Sequence, residues 1–230
     1  TPYPLGSDGR AVVIEGNVAD LEARAAGVHV TGARSQLKLV HSTLTLPSVT
    51  GAALGGQLVL APLRLNFGKP LTWSAQARVI ATDPAQVELL TPALKRILGG
   101  RMSGSARVSG VVASSSAVDA EGRRRGDRIR FTGLDLSLQR RAGQGDPWPR
   151  DVSLSGEVTY TPDSVSVRDV RAAGDGVRVT LPGGAVNPKS GRLALSDVAL
   201  EGGPQASRIL SRLGVPAAVQ SVAANLRVGG

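Results

Sequence analysis

The chain has 230 residues, with 27 basic against 18 acidic for a net charge of +9, 41% hydrophobic residues and no cysteine. That hydrophobic share belongs to a folded chain and not to a disordered one, and the missing cysteine excludes disulfides, thiolate metal sites and thiol nucleophiles. No apolar run reaches the ~20 residues that a membrane-spanning helix needs, no signal peptide is visible, and the start at Thr1 is read as that of a processed chain or of a segment of a larger protein.

Taken in chain order, the dominant signal is alternation with a period of two. Leu37 and Leu39, Leu44 and Leu46, Leu58 and Leu60, then Leu63, Leu65 and Phe67 each alternate with other residues, and Leu71, Trp73, Ala75, Ala77 and Val79 follow. After the middle of the chain come Leu134, Leu136 and Leu138, then Val165 and Val167, then Val177, Val179 and Leu181, then Leu193 and Leu195. Successive strand side chains point to opposite faces, so this pattern predicts strands with one apolar face, roughly eleven of them. Gly55-Gly56, Gly68-Lys69-Pro70, Gly174-Asp175-Gly176, Pro182-Gly183-Gly184 and Asn187-Pro188 separate the runs as turn signals.

Two stretches have helical spacing instead. Asp83-Pro84 opens a run with Val87, Leu90, Leu94, Ile97 and Leu98 that stops at Gly99-Gly100. Asp83 suits the N-cap and Pro84 the first turn, while Pro92 kinks or splits the helix. Gly203-Pro204 opens the second, with Ile209, Leu210 and Leu213 before Gly214. Sliding the sequence by 120 places Leu71–Gly110 on Gly191–Gly230 with five identities, and the apolar pattern upstream agrees at an offset of 121. The unit so defined is three strands, a short helix and a strand ending in Gly, which is the signature of stacked repeats. The expected organisation is leading strands over 1–41, one repeat over 42–112, a basic loop and connecting strands over 113–162, and a second repeat over 163–230.

Charge is uneven. Residues 121–150 carry eight basic and four acidic residues, including Arg123, Arg124, Arg125, Arg128 and Arg130. Such a cluster attracts phosphate, but only Phe131 is near it, and stacking of single-stranded bases needs aromatics. A solvated basic loop is the plain reading, with contact to anionic lipid head groups beside it. Arg125-Gly126-Asp127 is a chance tripeptide. No nucleophile elbow, phosphate loop or dinucleotide fingerprint occurs. His29 and His41 fall in different predicted strands with no carboxylate at ligand spacing, and Asp197 and Glu201 form only a weak acid pair. Neither a catalytic residue nor a metal or other cofactor is expected.

With only six aromatic residues, a closed sandwich core would be poorly filled. A long curved sheet with one apolar face fits better. That face either meets another sheet or stays open as a groove for an apolar ligand.

Residues 73–79 (Trp-Ser-Ala-Gln-Ala-Arg-Val), Asp83-Pro84, the Leu-rich helix through Leu98, and residues 99–110 (Gly-Gly-Arg-Met-Ser-Gly-Ser-Ala-Arg-Val-Ser-Gly) resemble the repeat of the TamB/AsmA-like proteins. So do residues 208–214 leading to Asn225-Leu226-Arg227-Val228-Gly229, and the phrase Gly133–Leu138. The resemblance covers most of 42–230, in pattern more than in identity. The N-terminal membrane helix of whole members is missing, and the chain is short for the family.

The resemblance implies a mainly β fold: a long antiparallel sheet bent into a taco-like open groove, built from repeats, with two short helices. It implies a non-enzymatic segment that carries phospholipid acyl chains between the inner and outer membranes of a bacterial envelope. Such a segment would work in the periplasm, anchored to the inner membrane by sequence outside this chain. An outer-membrane β-barrel protein is a possible partner and outer-membrane protein assembly a related role. A structural or adhesive β-repeat with a closed core is the reading from another class. The groove lining is expected to be Leu44, Leu46, Leu58, Leu60, Leu63, Leu65, Trp73, Val79, Leu134, Leu136, Val165, Val167, Val179, Leu193 and Leu195, with head groups near Arg123, Arg124, Arg125, Arg128 and Arg130.

Overall fold

The computed structural model describes residues 13–25, 28–88, 92–112, 127–141, 149–187, 193–196, 198–202, 208 and 225–228. The chain is mainly β, and its strands form one large antiparallel sheet. In order they are β1 (Val13–Ala25), β2 (Val28–Val40), β3 (Thr43–Leu46), β4 (Val49–Ala53), β5 (Gly56–Leu60), β6 (Leu63–Asn66), β7 (Leu71–Thr82), β8 (Gly100–Val112), β9 (Arg128–Arg140), β10 (Asp151–Thr161), β11 (Ser164–Gly174), β12 (Val177–Val186), β13 (Leu193–Ser196), β14 (Val198–Glu201) and β15 (Asn225–Val228).

The topology simplifies once the register is followed. β3 and β4 both pair with β2, and β5 and β6 both pair with β7. Each couple is one long strand interrupted at a proline, Pro47 in the first and Pro62 in the second, where the missing N–H cannot join the ladder. β13 and β14 also both pair with β12. The sheet is therefore an up-and-down meander in which each strand lies between its sequence neighbours.

Several strands bulge. Asp20, Gly32, Ala81, Gly133 and Asp169 have positive φ inside β1, β2, β7, β9 and β11, each near a register shift. A bulge inserts one unpaired residue, bends the strand and raises its twist. It also moves the apolar alternation by one. Ile129 and Phe131 thus share a face with Leu134, Leu136 and Leu138, because Gly133 (φ 57°) takes up the odd residue.

Two expectations need correction. Pro182-Gly183-Gly184 is not a turn but lies within β12. Gly183 pairs with Arg168 and Leu181 with Val170, so Pro182 falls opposite the bulge at Asp169, where a missing N–H is tolerated. The expected first helix is not continuous: a 3-10 turn spans Pro84–Gln86, and a separate helix, α1, spans Pro92–Leu98. Pro92 has no N–H and would clash with the carbonyl four residues back, so it starts a helix and cannot continue one. The second expected helix lies outside the described residues.

The connection from β7 to β8 is held by one carboxylate. Asp83 Oδ1 accepts from Ala85 N at 3.0 Å, the N-cap bond, and from Gly100 N at 3.2 Å. Its Oδ2 accepts from Arg141 Nη2 at 2.8 Å. Asp83 N in turn donates to Leu54 O at 2.7 Å, tying the connection to the β4–β5 turn. Thr82, Asp83 and Pro84 are buried beneath this cap. Asp83→Ala removes the cap and an anion that faces two backbone donors. It should lower stability by about 2 kcal/mol, a fall of roughly 4–8 °C in melting temperature for a domain of this size. Arg141→Gln should cost well under half of that, because the Arg141 side chain is 77% exposed. Thermal unfolding followed by circular dichroism checks both.

Candidate functional site

Residues directly paired across a sheet lie on the same face, so the register can be walked from strand to strand. One row starts at Ile14 and passes through Leu39, Leu44, Leu65, Trp73, Gly110, Ile129, Tyr160, Val165 and Val186 to the position of Leu193. A second runs Leu58, Val79, Gly104, Leu136, Leu154, Ala172, Val179, Leu200. Between them lies Ala75, Val108, Phe131, Val158, Val167, Gly184 and the position of Leu195. No row contains a charged residue. The first crosses eleven strands, which at ~4.8 Å per strand is roughly 48 Å of unbroken apolar surface.

The structure therefore brings the fifteen sequence-predicted positions together on one side. Leu44, Leu65, Trp73, Val165 and Leu193 lie in the first row, Leu58, Val79, Leu136 and Val179 in the second, and Val167 and Leu195 in the third. Leu60 pairs with Ala77, Leu46 with Leu63, and Leu134 with Gly156, on the same side. Most of these residues are half-buried: Leu58, Leu60, Trp73, Val79, Leu134, Leu136, Val165, Val167 and Val179 all keep part of their surface in water. In a two-sheet core such residues would be buried. The buried positions on this face are often small, as at Ala75, Ala77 and Ala106, which sit between larger neighbours. A compact cluster forms near β2–β6, where Ala33, Leu46 and Val49 are covered by Val30, Leu37, Leu44, Leu60, Leu63 and Leu65.

Ile129, Phe131, Leu154, Val158 and Tyr160 were not among the predicted lining residues, yet they occupy the middle of the rows. The alternation of Ile129 and Phe131 already sets both on the apolar face, and Gly133 takes up the residue that brings Leu134 and Leu136 to the same side. The alternation Val152, Leu154, Gly156, Val158, Tyr160 in β10 would have shown the others.

The opposite face is polar. Arg128 and Arg130 lie there, flanking Ile129, and both are exposed. Arg130 Nη2 is held by Glu157 Oε2 at 2.8 Å, so its charge is already met. Arg123, Arg124 and Arg125 lie outside the described residues. Glu201 pairs with Arg178 at 3.5 Å, and Asp197 lies outside the described residues. His29 faces Glu22 at 3.7 Å across β1 and β2, whereas His41 sits in the β2–β3 turn and not in a strand. Among the described residues no group of three or more His, Asp or Glu could hold a metal ion, and no helix is long and apolar enough to cross a membrane.

Trp73 is the largest side chain on the face, and its position depends on a glycine. It is cross-strand from Gly110, where a Cβ would fall inside the indole, against Nε1, Cε2 and Cζ2. The ring thus lies flat over the neighbouring strand and fills the gap that Gly110 leaves in the first row.

No family model, no curated protein and no solved structure matches this chain. Its functional reading rests on the geometry of the face. Gly110→Ala should lift the indole off the sheet, shift the emission of Trp73 to the red and cost about 1–3 kcal/mol from overpacking. Fluorescence in a Trp148→Phe background, which leaves Trp73 alone, and thermal melting measure the two effects.

Proposed function

We propose that this chain is a non-enzymatic lipid carrier: the apolar face is the inner wall of a taco-like groove that holds phospholipid acyl chains. The observation that supports this most is the uninterrupted row of apolar positions from Ile14 to Leu193, in which Leu39, Leu44, Leu65, Trp73, Ile129 and Val165 remain half-exposed. Edge residues extend it, with Ile14 at 47% and Leu21 at 42% exposure. Contiguous apolar surface of this extent is rare on a soluble chain unless something binds it.

The bulged strands give such a sheet a means of closing around a ligand, since each bulge bends its strand. The energetic case is simple. Exposing an acyl chain to water costs ~0.8 kcal/mol per CH₂, so a chain of about sixteen carbons faces more than ~10 kcal/mol on leaving a bilayer. An apolar trough offsets most of that cost, and a continuous row offers a shifting chain equivalent contacts at every strand. Transfer then needs no single indispensable residue.

The setting that goes with this activity is the space between two membranes, the periplasm of a bacterial envelope, with anchoring by sequence outside this chain. The resemblance of residues 73–110 and 208–229 to the TamB/AsmA-like repeat supports that setting. Two features of the structure fit a repeated unit. The turns Leu54-Gly55 and Asp175-Gly176 have the same pair of left-handed residues, with φ of 51° and 71° against 47° and 77°. The order of strands after each turn also corresponds at the offset of 120 to 121 residues.

Native mass spectrometry of the purified chain, with lipid extraction from the same sample, tests the reading. Phospholipid bound at a defined stoichiometry is the expected result. A lipid-free chain that also fails to take up a fluorescent phospholipid would overturn it. Leu136→Arg separates an open wall from a closed core. It places a charge in the second row, between Gly104 and Leu154. In a groove the variant should fold, as judged by circular dichroism, and lose phospholipid uptake. In a closed core it would bury an unpaired charge and fail to fold.

A further inference from the structure

We propose a second site, independent of the apolar face: an anion-binding cleft at the α1 end of β8–β10 that takes the phosphate group of a small phosphate ester. The cleft has a volume of about 570 Å³ and is lined by Arg101, Gln139, Arg140, Arg141, Arg150 and Asp151, with Gly100 at its floor. Four arginines therefore contribute to the border of one concavity, and the side chains of two, Arg140 on the apolar side of β9 and Arg141, are fixed. The side chain of Arg140 is buried, and its Nη1 donates to Pro149 O at 3.0 Å. Arg141 is held through Nη2 by Asp83, which leaves its other N–H groups available from the five that a guanidinium carries.

The other two are not engaged. Arg101 and Arg150 are exposed, and among the described residues no carboxylate lies within ion-pair reach of either guanidinium. The local backbone explains why Arg150 stays at the cleft: its N–H donates to Asp175 Oδ2 at 2.9 Å, which pins the start of β10 to the β11–β12 turn. Arg140 N donates to Arg150 O at 2.7 Å, which closes β9 against the same segment. Arg101 and Arg150 thus bring to the cleft two positive charges that no described carboxylate meets, while the carboxylate on Arg141 is already committed to the cap.

The remaining wall sets the chemical class. Arg101, Gln139 and Asp151 form a cross-strand row on the polar side, so Arg101 and Asp151 stand two strands apart, roughly 10 Å. Donors that come from three separate segments suit a tetrahedral oxyanion better than a flat carboxylate, which a single Arg fork would satisfy. Asp151, exposed at the far side, accepts from a hydroxyl or ammonium group of the same ligand. A second concavity of about 530 Å³ shares Arg101, Gln139 and Asp151 and continues along three serines, with Ala81, Leu138, Val152 and Ala173 beside them, giving room for a small organic body beyond the phosphate. The fit is to a phosphate ester of a small polyol or amino alcohol, free or as a lipid head group.

Isothermal titration of the chain at fixed ionic strength, with inorganic phosphate and with glycerol 3-phosphate as probes, tests the proposal. One-to-one binding is expected, tighter for glycerol 3-phosphate, and at least tenfold weaker in Arg101→Gln/Arg150→Gln, since each lost contact is a hydrogen bond to a charged group. That variant removes two exposed, unpaired side chains, so its melting temperature should stay that of the parent. Lys95→Gln/Arg96→Gln on nearby α1 should bind like the parent. The absence of saturable binding up to about 10 mM, equal binding by the Arg101/Arg150 variant, or equal losses in both variants would each overturn the site. Vesicles containing phosphatidylglycerol distinguish the sources. If vesicle binding falls in the same Arg variant, the phosphate is a head group; if only glycerol 3-phosphate binding falls, it is a soluble ester. The titrations are read on the parent fold and need no acyl chain, so failure of the acyl-chain reading and failure of this one are separable.

Discussion

The structure depends on one constraint: in a β-sheet, residues paired across strands stand on the same side. A meander of antiparallel strands converts a local period of two into a face that spans the whole sheet, provided no strand slips by one. A slip anywhere would put charged residues such as Arg107 or Asp135 into the apolar rows and Val108 or Leu136 into the polar face. Each hairpin therefore has to preserve the register set by the one before it. The tight left-handed turns at Leu54-Gly55 and Asp175-Gly176 fix register directly, while the Asp83 network fixes it where β7 and β8 are joined by a longer connection.

A single layer cannot draw its stability from a thick core. What holds this sheet is the backbone ladder together with cross-strand side-chain pairs, each contributing a few tenths to about 1 kcal/mol. The placement of small residues follows from this. Ala75, Ala77 and Ala106 become buried because neighbours of ordinary size cover them, without a second sheet above. Trp73 over Gly110 works in the same way, with one large ring covering two strands. The large residues Leu58, Leu136 and Val179 are left half-exposed, and their unspent apolar surface is the part of the molecule that a ligand can bury.

Much of this was legible in the sequence. Alternation located β7, β9 and the first half of β12 closely, and hydrophobicity alone chose a set of fifteen residues that the register places on one side. Asp83 was readable as a cap because Asp before Pro at the start of a helical run has a specific hydrogen-bonding use. What the sequence concealed were features set by tertiary partners. Nothing local announces that Arg141 reaches back to Asp83 across 58 residues. A proline followed by two glycines reads as a turn unless one knows that a bulge lies opposite it in β11. Ile129 and Phe131 alternate onto the apolar face in the sequence, but only the fold shows that Gly133 absorbs the residue between them and Leu134. The cleft beside Arg101 was equally hidden, since its four arginines come from three separated stretches and only the meander brings 101, 140–141 and 150 to one end.

The two faces of the sheet also divide the chemistry. The strands of the first expected repeat, from Thr43 to Val112, contain no carboxylate outside the connection that carries Asp83 and Glu88, while Arg64, Arg78, Arg101 and Arg107 lie on its polar side. The positive charge of the chain is thus excluded from the apolar rows by the same alternation that builds them. An amphiphile has this division too: chains that avoid water and a phosphate that requires it. On a one-layer sheet the two can be served only on opposite faces or around an end. The α1 end is where Gly100 and Arg140, on the apolar side, meet Arg101, Gln139 and Asp151, on the polar side. A bound phosphate there would stand at the margin of the apolar surface without interrupting it, an arrangement that would let one thin sheet bind both kinds of group.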